Sequence, residues 1–151
     1  MKTYSSAFPI GQFVGVIFWT LFYIDRELVF PLVLDEIFPN YINHMLHTTV
    51  IPFQLLELIL LHHIYPKRKT GLATIFIFIA LYLTWTLIVA HLGGFWVYPI
   101  FKVLGPVQRA IFMVFCSLFG GFLYLIGEGL NNFVWSKSLG LKSDGGPQKI
   151  D

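Results

Sequence analysis

The sequence is poor in cysteine and in charge. Cys116 is its only cysteine, so no intrachain disulfide can form, and the apolar run around it favours a buried, inert thiol. Charged residues make up 12% of the 151 residues, against roughly 25% in soluble domains. This deficit argues against a water-soluble globule, and the lack of a basic stripe excludes nucleic acid as a partner.

Apolar residues are abundant instead, at 56% hydrophobic and 18% aromatic, with a mean hydropathy of +0.73. A bilayer core requires about 20 apolar residues of helix. Four stretches meet this requirement, and we predict spans at 7–24, 42–61, 71–92 and 110–130. The predicted fold class is an all-α, polytopic transmembrane helical bundle with four spans in this chain.

The polar ends of the chain and the loops between spans predict its organisation. Residues 1–135 form the predicted transmembrane domain, and the Gly- and Lys-containing segment 136–151 is expected to be a disordered cytoplasmic tail. The N-terminus, the 62–70 loop and the tail together carry seven Lys and Arg, whereas the other two loops carry three. By the positive-inside rule, both termini are predicted to be cytoplasmic.

Polar residues are concentrated in the second predicted span. At about 100° per residue they form a stripe of about 140°, and its members are Asn43, His44, His47, Gln54 and Glu57. Ionisable groups at membrane depth are costly, so they are functional candidates, with helix packing as the competing explanation. Packing suffices for Gln54 alone, whereas the two histidines together favour function.

The alternation of spans places His44, His47, His91 and Asp25 near the same predicted outer boundary. A histidine cluster with a carboxylate can supply a general base for ester or amide hydrolysis. The same three histidines could instead bind zinc or haem, although no familiar ligand spacing is complete. Glu57 falls in the inner half of the membrane, together with Glu128.

Several longer motifs are distinctive. They comprise Tyr23-Ile-Asp25-Arg26-Glu27-Leu, Asn43-His44-x-x-His47-Thr48, Leu56-Glu57, His63-x-Tyr65-Pro66-x-Arg68, Trp96-Val97-Tyr98-Pro99 and Tyr124-x-x-Gly127-Glu128-x-Leu130-Asn131-x-x-x-Trp135. Through them the chain resembles the androgen-induced gene protein family, also called the FAR-17a-like family. The resemblance covers nearly everything from about Phe8 to Trp135.

The resemblance implies a function. Members of that family are six-span membrane proteins that cleave fatty acid esters of hydroxy fatty acids as threonine hydrolases, using a threonine nucleophile and a histidine. It implies that His47 is catalytic, with supporting roles for Asn43, His44, His91, Asp25 and Glu57. It further implies an acylated-lipid substrate, no metal or other cofactor, and a location in the cell membrane or the endomembrane system.

The family's threonine lies in its first span, and this chain resembles a form without the first two spans. The nucleophile is therefore unknown. Depth alone permits Thr20, Thr86 and Ser117, while Thr48 follows His47 directly and points about 100° away from it. The chain is expected to be either a hydrolase, silent if no other hydroxyl serves, or a non-catalytic membrane regulatory protein acting through partner interactions.

Overall fold

The computed structural model describes residues 4–143, with side chains from 5 to 136. The described part of the chain contains helices and no strand, which confirms the all-α prediction. Two short 3-10 turns, Arg26–Leu28 and Leu32–Glu36, follow the first helix. The α-helices are α1 (Tyr4–Ile24), α2 (Asn40–His47), α3 (Val50–Leu60), α4 (Arg68–Gly93), α5 (Ile100–Val103) and α6 (Pro106–Ser143).

Three of these helices are long and apolar enough to cross a membrane. Within the described residues they cover Ser5–Ile24, Arg68–Gly93 and Pro106–Ser136. Large apolar side chains on α4 point outward, since Ile77, Leu81 and Trp85 are each more than 60% exposed. Such an exposed apolar surface is stable against lipid and costly against water, so the chain is an integral membrane protein.

The predicted span at 42–61 corresponds to two helices, α2 and α3, which meet at Thr48 and Thr49. The cause is Pro52, which has no N–H to donate to the Thr48 carbonyl and whose ring crowds that carbonyl. Ile51 N–H donates to the Thr48 carbonyl instead, at 3.2 Å. The break separates His44 and His47, at the end of α2, from Gln54 and Glu57 in α3, so the five polar residues do not follow one continuous stripe.

Glycines let α1 approach the α2–α3 segment closely. A Cβ added to Gly15 would lie 2.6 Å from Ile51 Cδ1 and 2.8 Å from the His47 carbonyl oxygen. One turn earlier, Gly11 lies against Gln54, whose amide donates to the Ala7 carbonyl at 2.9 Å. Small residues with hydrogen-bonding amides are the usual means of joining helices in lipid. This contact fixes the end of α2 against α1.

The packing of α4 on α6 uses the same principle. A Cβ at Gly120 or Gly121 would come within 2.9 Å of a side chain on α4, that of Ile79 or Phe76 respectively. Gly71, in the first turn of α4, lies beneath the fully buried ring of Tyr124. The third interface of the bundle joins α1 to α6.

The loop after α3 is fastened to α6 by an amide bracket. His63 N–H donates to Asn131 Oδ1 at 3.2 Å, and Asn131 Nδ2 donates to the His63 carbonyl at 2.9 Å. Trp135 Nε1 donates to the Leu58 carbonyl at 3.0 Å, which satisfies a carbonyl at the end of α3. Burial lowers the pKa of His63, an effect that the nearby Glu57 carboxylate partly opposes.

Helix α6 continues to Ser143 and therefore overlaps the first part of the segment that was predicted to be a disordered tail. The remainder of that predicted tail, 144–151, lies outside the described residues.

Candidate active site

His47 sits at the end of α2 and is held in place on two sides. Its ring stacks on Phe18 of α1, with centroids 3.7 Å apart and planes 9° apart. Its Nδ1 lies 2.8 Å from Asn43 Oδ1 and 3.1 Å from the Asn43 carbonyl oxygen. Because a carbonyl oxygen can only accept, Nδ1 carries the proton in the neutral ring, and Nε2 is left with the basic lone pair.

Both partners of His47 are well anchored. Phe18 is 8% exposed and Asn43 is 3% exposed, so neither has space to change rotamer freely. The i, i+4 spacing of Asn43 and His47 is what brings the amide onto the ring nitrogen within one helix. The arrangement therefore fixes both the tautomer and the orientation of one imidazole.

His47 lines a cavity of about 570 Å³. Its wall is formed by α1, α2, α4, α5 and α6 together with the segment between α1 and α2, and almost all of the lining is aliphatic or aromatic. No Asp, Glu, Lys or Arg belongs to the described residues that line it. A cavity of this size and polarity suits alkyl chains, and His47 is the basic side chain in its wall.

Two of the three candidate hydroxyls line the same cavity as His47, namely Thr86 on α4 and Ser117 on α6. Each donates to a carbonyl one turn earlier in its own helix, Thr86 Oγ1 to Tyr82 at 3.0 Å and Ser117 Oγ to Met113 at 2.7 Å. Thr20 is exposed, donates to the Val16 carbonyl, and does not line the cavity.

His44 faces away from the cavity. Its ring stacks on Trp19 with centroids 5.0 Å apart, and its Nδ1 lies 2.9 Å from Thr48 Oγ1. Thr48, which directly follows His47, is therefore a partner of His44. The i, i+4 rule accounts for this pairing just as it does for the pairing of Asn43 with His47.

The other predicted supporting residues lie apart from His47. Asp25 accepts from the Glu27 N–H at 3.0 Å and so begins the first 3-10 turn. His91 is exposed and lines a separate depression beside Trp96 and Gly94. Glu57 lies near the opposite end of α3, with its Oε1 3.7 Å from His63 Nε2.

The three-histidine metal site considered from the sequence is not assembled. His91 does not line the cavity that His47 lines, and His44 is turned toward Trp19. Among the described residues, no group of three or more His, Cys, Asp or Glu side chains is placed to hold a metal ion. The chemistry that the site offers is that of a single oriented imidazole.

Sequence reasoning missed two tyrosines in the cavity wall, Tyr82 and Tyr98, whose hydroxyls contact each other. Tyr98 lies between two of the predicted spans, a position that does not by itself place its side chain in the cavity. The glycine at position 94 was the signal that the sequence offered. Gly94 has a φ of 69°, and a left-handed residue after a helix lets the chain turn back along that helix.

The chain is similar in sequence to a family of known proteins. The family model described as FAR-17a/AIG1-like protein matches residues 2–132. The chain is 41% identical to the human androgen-induced gene 1 protein, over 96% of this chain and 61% of that protein. It is 43% identical to the mouse androgen-dependent TFPI-regulating protein, over 85% and 56% of the two chains. The hamster (Mesocricetus auratus) protein of the latter name is 41% identical, over 87% and 57%.

The chain thus spans about three fifths of the length of these relatives. No solved structure matches it.

Proposed function

The chain belongs to the FAR-17a/AIG1-like protein family, and from this premise we propose that it is a membrane lipid hydrolase that cleaves fatty acid esters of hydroxy fatty acids. The observation that carries the proposal is the position of His47 in the cavity wall. Its Nδ1 is bound to Asn43, which leaves Nε2 as the base in an otherwise apolar cavity. A fixed neutral imidazole beside space for an acyl chain supplies two of the components of such a hydrolase, the general base and the acyl-binding cavity.

The proposed chemistry is covalent. Nε2 of His47 takes the proton of an attacking hydroxyl, whose oxygen bonds to the ester carbonyl carbon. The imidazolium then returns a proton to the leaving oxygen of the hydroxy fatty acid, and water cleaves the acyl-enzyme by the reverse sequence of proton transfers. Among the described residues, Thr86 and Ser117 carry the aliphatic hydroxyls that line the cavity with His47.

The proposal is tested by labelling the detergent-solubilised protein with a fluorophosphonate. We expect His47→Ala to slow labelling by about 100-fold or more, as loss of a general base does. His62→Ala is the matched control, because His62 is an exposed histidine outside the cavity. Mass spectrometry of the labelled wild type, with Thr86→Val and Ser117→Ala, identifies the nucleophile. Labelling that survives His47→Ala, or a folded wild type that does not label, contradicts the proposal.

A second candidate is a non-catalytic regulatory membrane protein, and two of the relatives are named as TFPI-regulating proteins. One observation favours it. The hydroxyls of Thr86 and Ser117 both donate to backbone carbonyls, so neither proton is directed at His47. For this candidate, a partner captured by the wild type should be captured equally by His47→Ala.

We further propose that both termini face the cytoplasm, in the cell membrane or the endomembrane system. The supporting observation is the excess of Lys and Arg in the 62–70 loop and the tail. The test uses a Cys116→Ala background. Lys69→Cys should not react with an impermeant maleimide in intact cells, and it should react once the plasma membrane is permeabilised. Glu36→Cys, in the opposite loop, is the comparison and should be shielded from cytoplasmic reagent.

A further inference from the structure

The hydroxyl groups of Tyr82 and Tyr98 form a pair in the wall of the cavity. Tyr82 lies within α4, about three turns before the end of that helix. Tyr98 follows the left-handed Gly94, where the chain reverses direction and returns along α4. Two aromatic contacts fix the pair, because Phe78 stacks on Tyr82 and Phe101 meets Tyr98 edge to face.

The tyrosine pair has one more O–H donor than the hydrogen bond between its members requires. Each phenol carries one O–H, and a hydrogen bond between them consumes one of the two protons. The described residues provide neither hydroxyl with a second hydrogen-bond partner. Tyr82 and Tyr98 are 44% and 38% exposed, so the unused O–H is accessible and the pair is suited to a ligand that brings an acceptor.

The surroundings determine what kind of acceptor fits. The described cavity lining holds no Lys or Arg that could balance an anion. Burial and the contact with Tyr82 raise the pKa of the Tyr98 phenol, which keeps it protonated and able to donate. An ionised carboxylate would lose its hydration without gaining a counter-ion, whereas a neutral carbonyl loses far less.

We propose that the Tyr82–Tyr98 pair binds the carbonyl oxygen of the substrate's ester group and thereby places this neutral group, and not an ionised carboxylate, at that point of the cavity. The inference rests on the proposed function in taking an acyl ester as the ligand. The tyrosine pair complements His47. The tyrosines donate a hydrogen bond to the substrate, whereas Nε2 of His47 accepts a proton. Preference for the ester over an ionised carboxylate would also favour release of the fatty acid that hydrolysis frees from the ester.

The test uses a ligand that cannot be hydrolysed, so it is independent of any catalytic step. Methyl pentadecyl ketone presents a carbonyl on an alkyl chain, heptadecane presents the chain alone, and palmitate at about pH 8 presents an ionised carboxylate while histidine is largely neutral. Binding of the three radiolabelled compounds is measured with wild type, Tyr98→Phe and the double variant Tyr82→Phe/Tyr98→Phe. Tyr41→Phe, an exposed tyrosine on α2 outside the cavity, is the matched control.

We expect the ketone to lose about fivefold in affinity in the double variant, which is the effect of one hydrogen bond. Heptadecane should bind wild type and variants equally, which also shows that the cavity is intact. Partition into detergent cancels, because each compound is compared between proteins. The infrared stretch of a carbon-13-labelled ketone carbonyl should move to lower frequency on binding wild type but not the double variant.

Three results would overturn the proposal. They are an equal affinity of the ketone for wild type and the double variant, a carbonyl stretch in wild type that matches the ketone in detergent, and palmitate binding as tightly as the ketone. A folded chain that fails to label with fluorophosphonate but binds the ketone as expected would remove the hydrolase proposal alone.

Discussion

The imidazole of His47 lies face to face with the ring of Phe18, at a centroid distance of 3.7 Å and an interplanar angle of 9°. This stack joins α2 to α1 and sets the plane of the ring, while Asn43 sets its rotation about the Cβ–Cγ bond and its tautomer. The two contacts come from different helices, so a change in how α1 and α2 pack also turns the imidazole.

Replacing Phe18 by Leu keeps an apolar side chain but removes the stack. An aromatic pair contributes about 0.5 to 1.5 kcal/mol beyond its buried area. We expect fluorophosphonate labelling that depends on His47 to slow by about threefold to tenfold, with a small change in Tm. Phe22→Leu is the control, because Phe22 contacts Phe18 and Trp19 and makes no ring contact with His47. Equal rates for the two variants would show that the stack does not orient the ring.

Replacing Asn43 by Ala removes the side-chain acceptor at His47 Nδ1 and leaves only the backbone carbonyl. Loss of a buried hydrogen-bond partner costs about 1 to 3 kcal/mol, so we expect labelling to fall by about fivefold to 100-fold. Asn40→Ala, at the exposed start of the same helix, should leave the rate unchanged. Rates measured at saturating probe separate this effect from a change in probe binding.

Gly15 lies where α1 touches the backbone of His47, and a methyl group there meets Ile51 and the His47 carbonyl at less than 3 Å. Overpacking of this kind costs about 1 to 3 kcal/mol. Gly15→Ala should therefore lower Tm and also reduce labelling. Gly129→Ala adds the same methyl group to α6, where it would meet no atom within 4 Å, and should not lower Tm. Equal Tm values for both variants would contradict close contact at Gly15.

Asn131 forms two hydrogen bonds with the backbone of His63 and is 1% exposed. Asn131→Ala removes both of these buried hydrogen bonds, at a cost of about 1 to 3 kcal/mol each. We expect its Tm in detergent to fall by several degrees. The neighbouring Asn132 is exposed, and Asn132→Ala should have a Tm close to that of wild type.

The lowered pKa of His63 predicts a pH dependence of stability. Between its ordinary value of 6.5 and its lower folded value, the unfolded chain binds more protons than the folded chain. Stability is thus independent of this group above pH 6.5 and falls as the pH drops toward the folded pKa. Glu57 faces the ring and His62 is adjacent, so these two groups could also change stability with pH. The pH dependence of Tm is therefore compared between wild type and His63→Gln, which keeps both neighbours. The variant should lose the decline in Tm that wild type shows below pH 6.5, whereas an unaltered decline would assign it to another group.

Much of the fold followed from local sequence. The runs at 7–24, 71–92 and 110–130 are long and uncharged enough, apart from Glu128, that a helix in lipid is their only stable form. The stretch 42–61 was also predicted as one span, but Pro52 removes one backbone donor, and this small local cause was sufficient to end α2 at His47. Hydropathy does not detect this helix break, because a hydropathy value is an average over about a whole span.

The candidate site was predictable in part. Helical spacing alone joins Asn43 to His47 and His44 to Thr48, since residues four apart share a helix face. Depth in the membrane was a poorer guide, because residues at one level can lie on opposite sides of a bundle. His91 and Asp25 were predicted at the level of His47, yet one lines a separate depression and the other begins a 3-10 turn.

By itself, the sequence determined that the chain is helical, embedded in lipid and built around an imidazole with a neighbouring amide, because these properties depend on composition and on contacts within one helix. The tertiary structure decided which side chains share a cavity. The cavity wall that contains His47 also contains Thr86, Ser117, Tyr82 and Tyr98. These side chains come together only because glycines let the helices approach and Gly94 turns the chain back. Such contacts depend on the rotation and separation of helices, which packing sets and hydropathy does not encode.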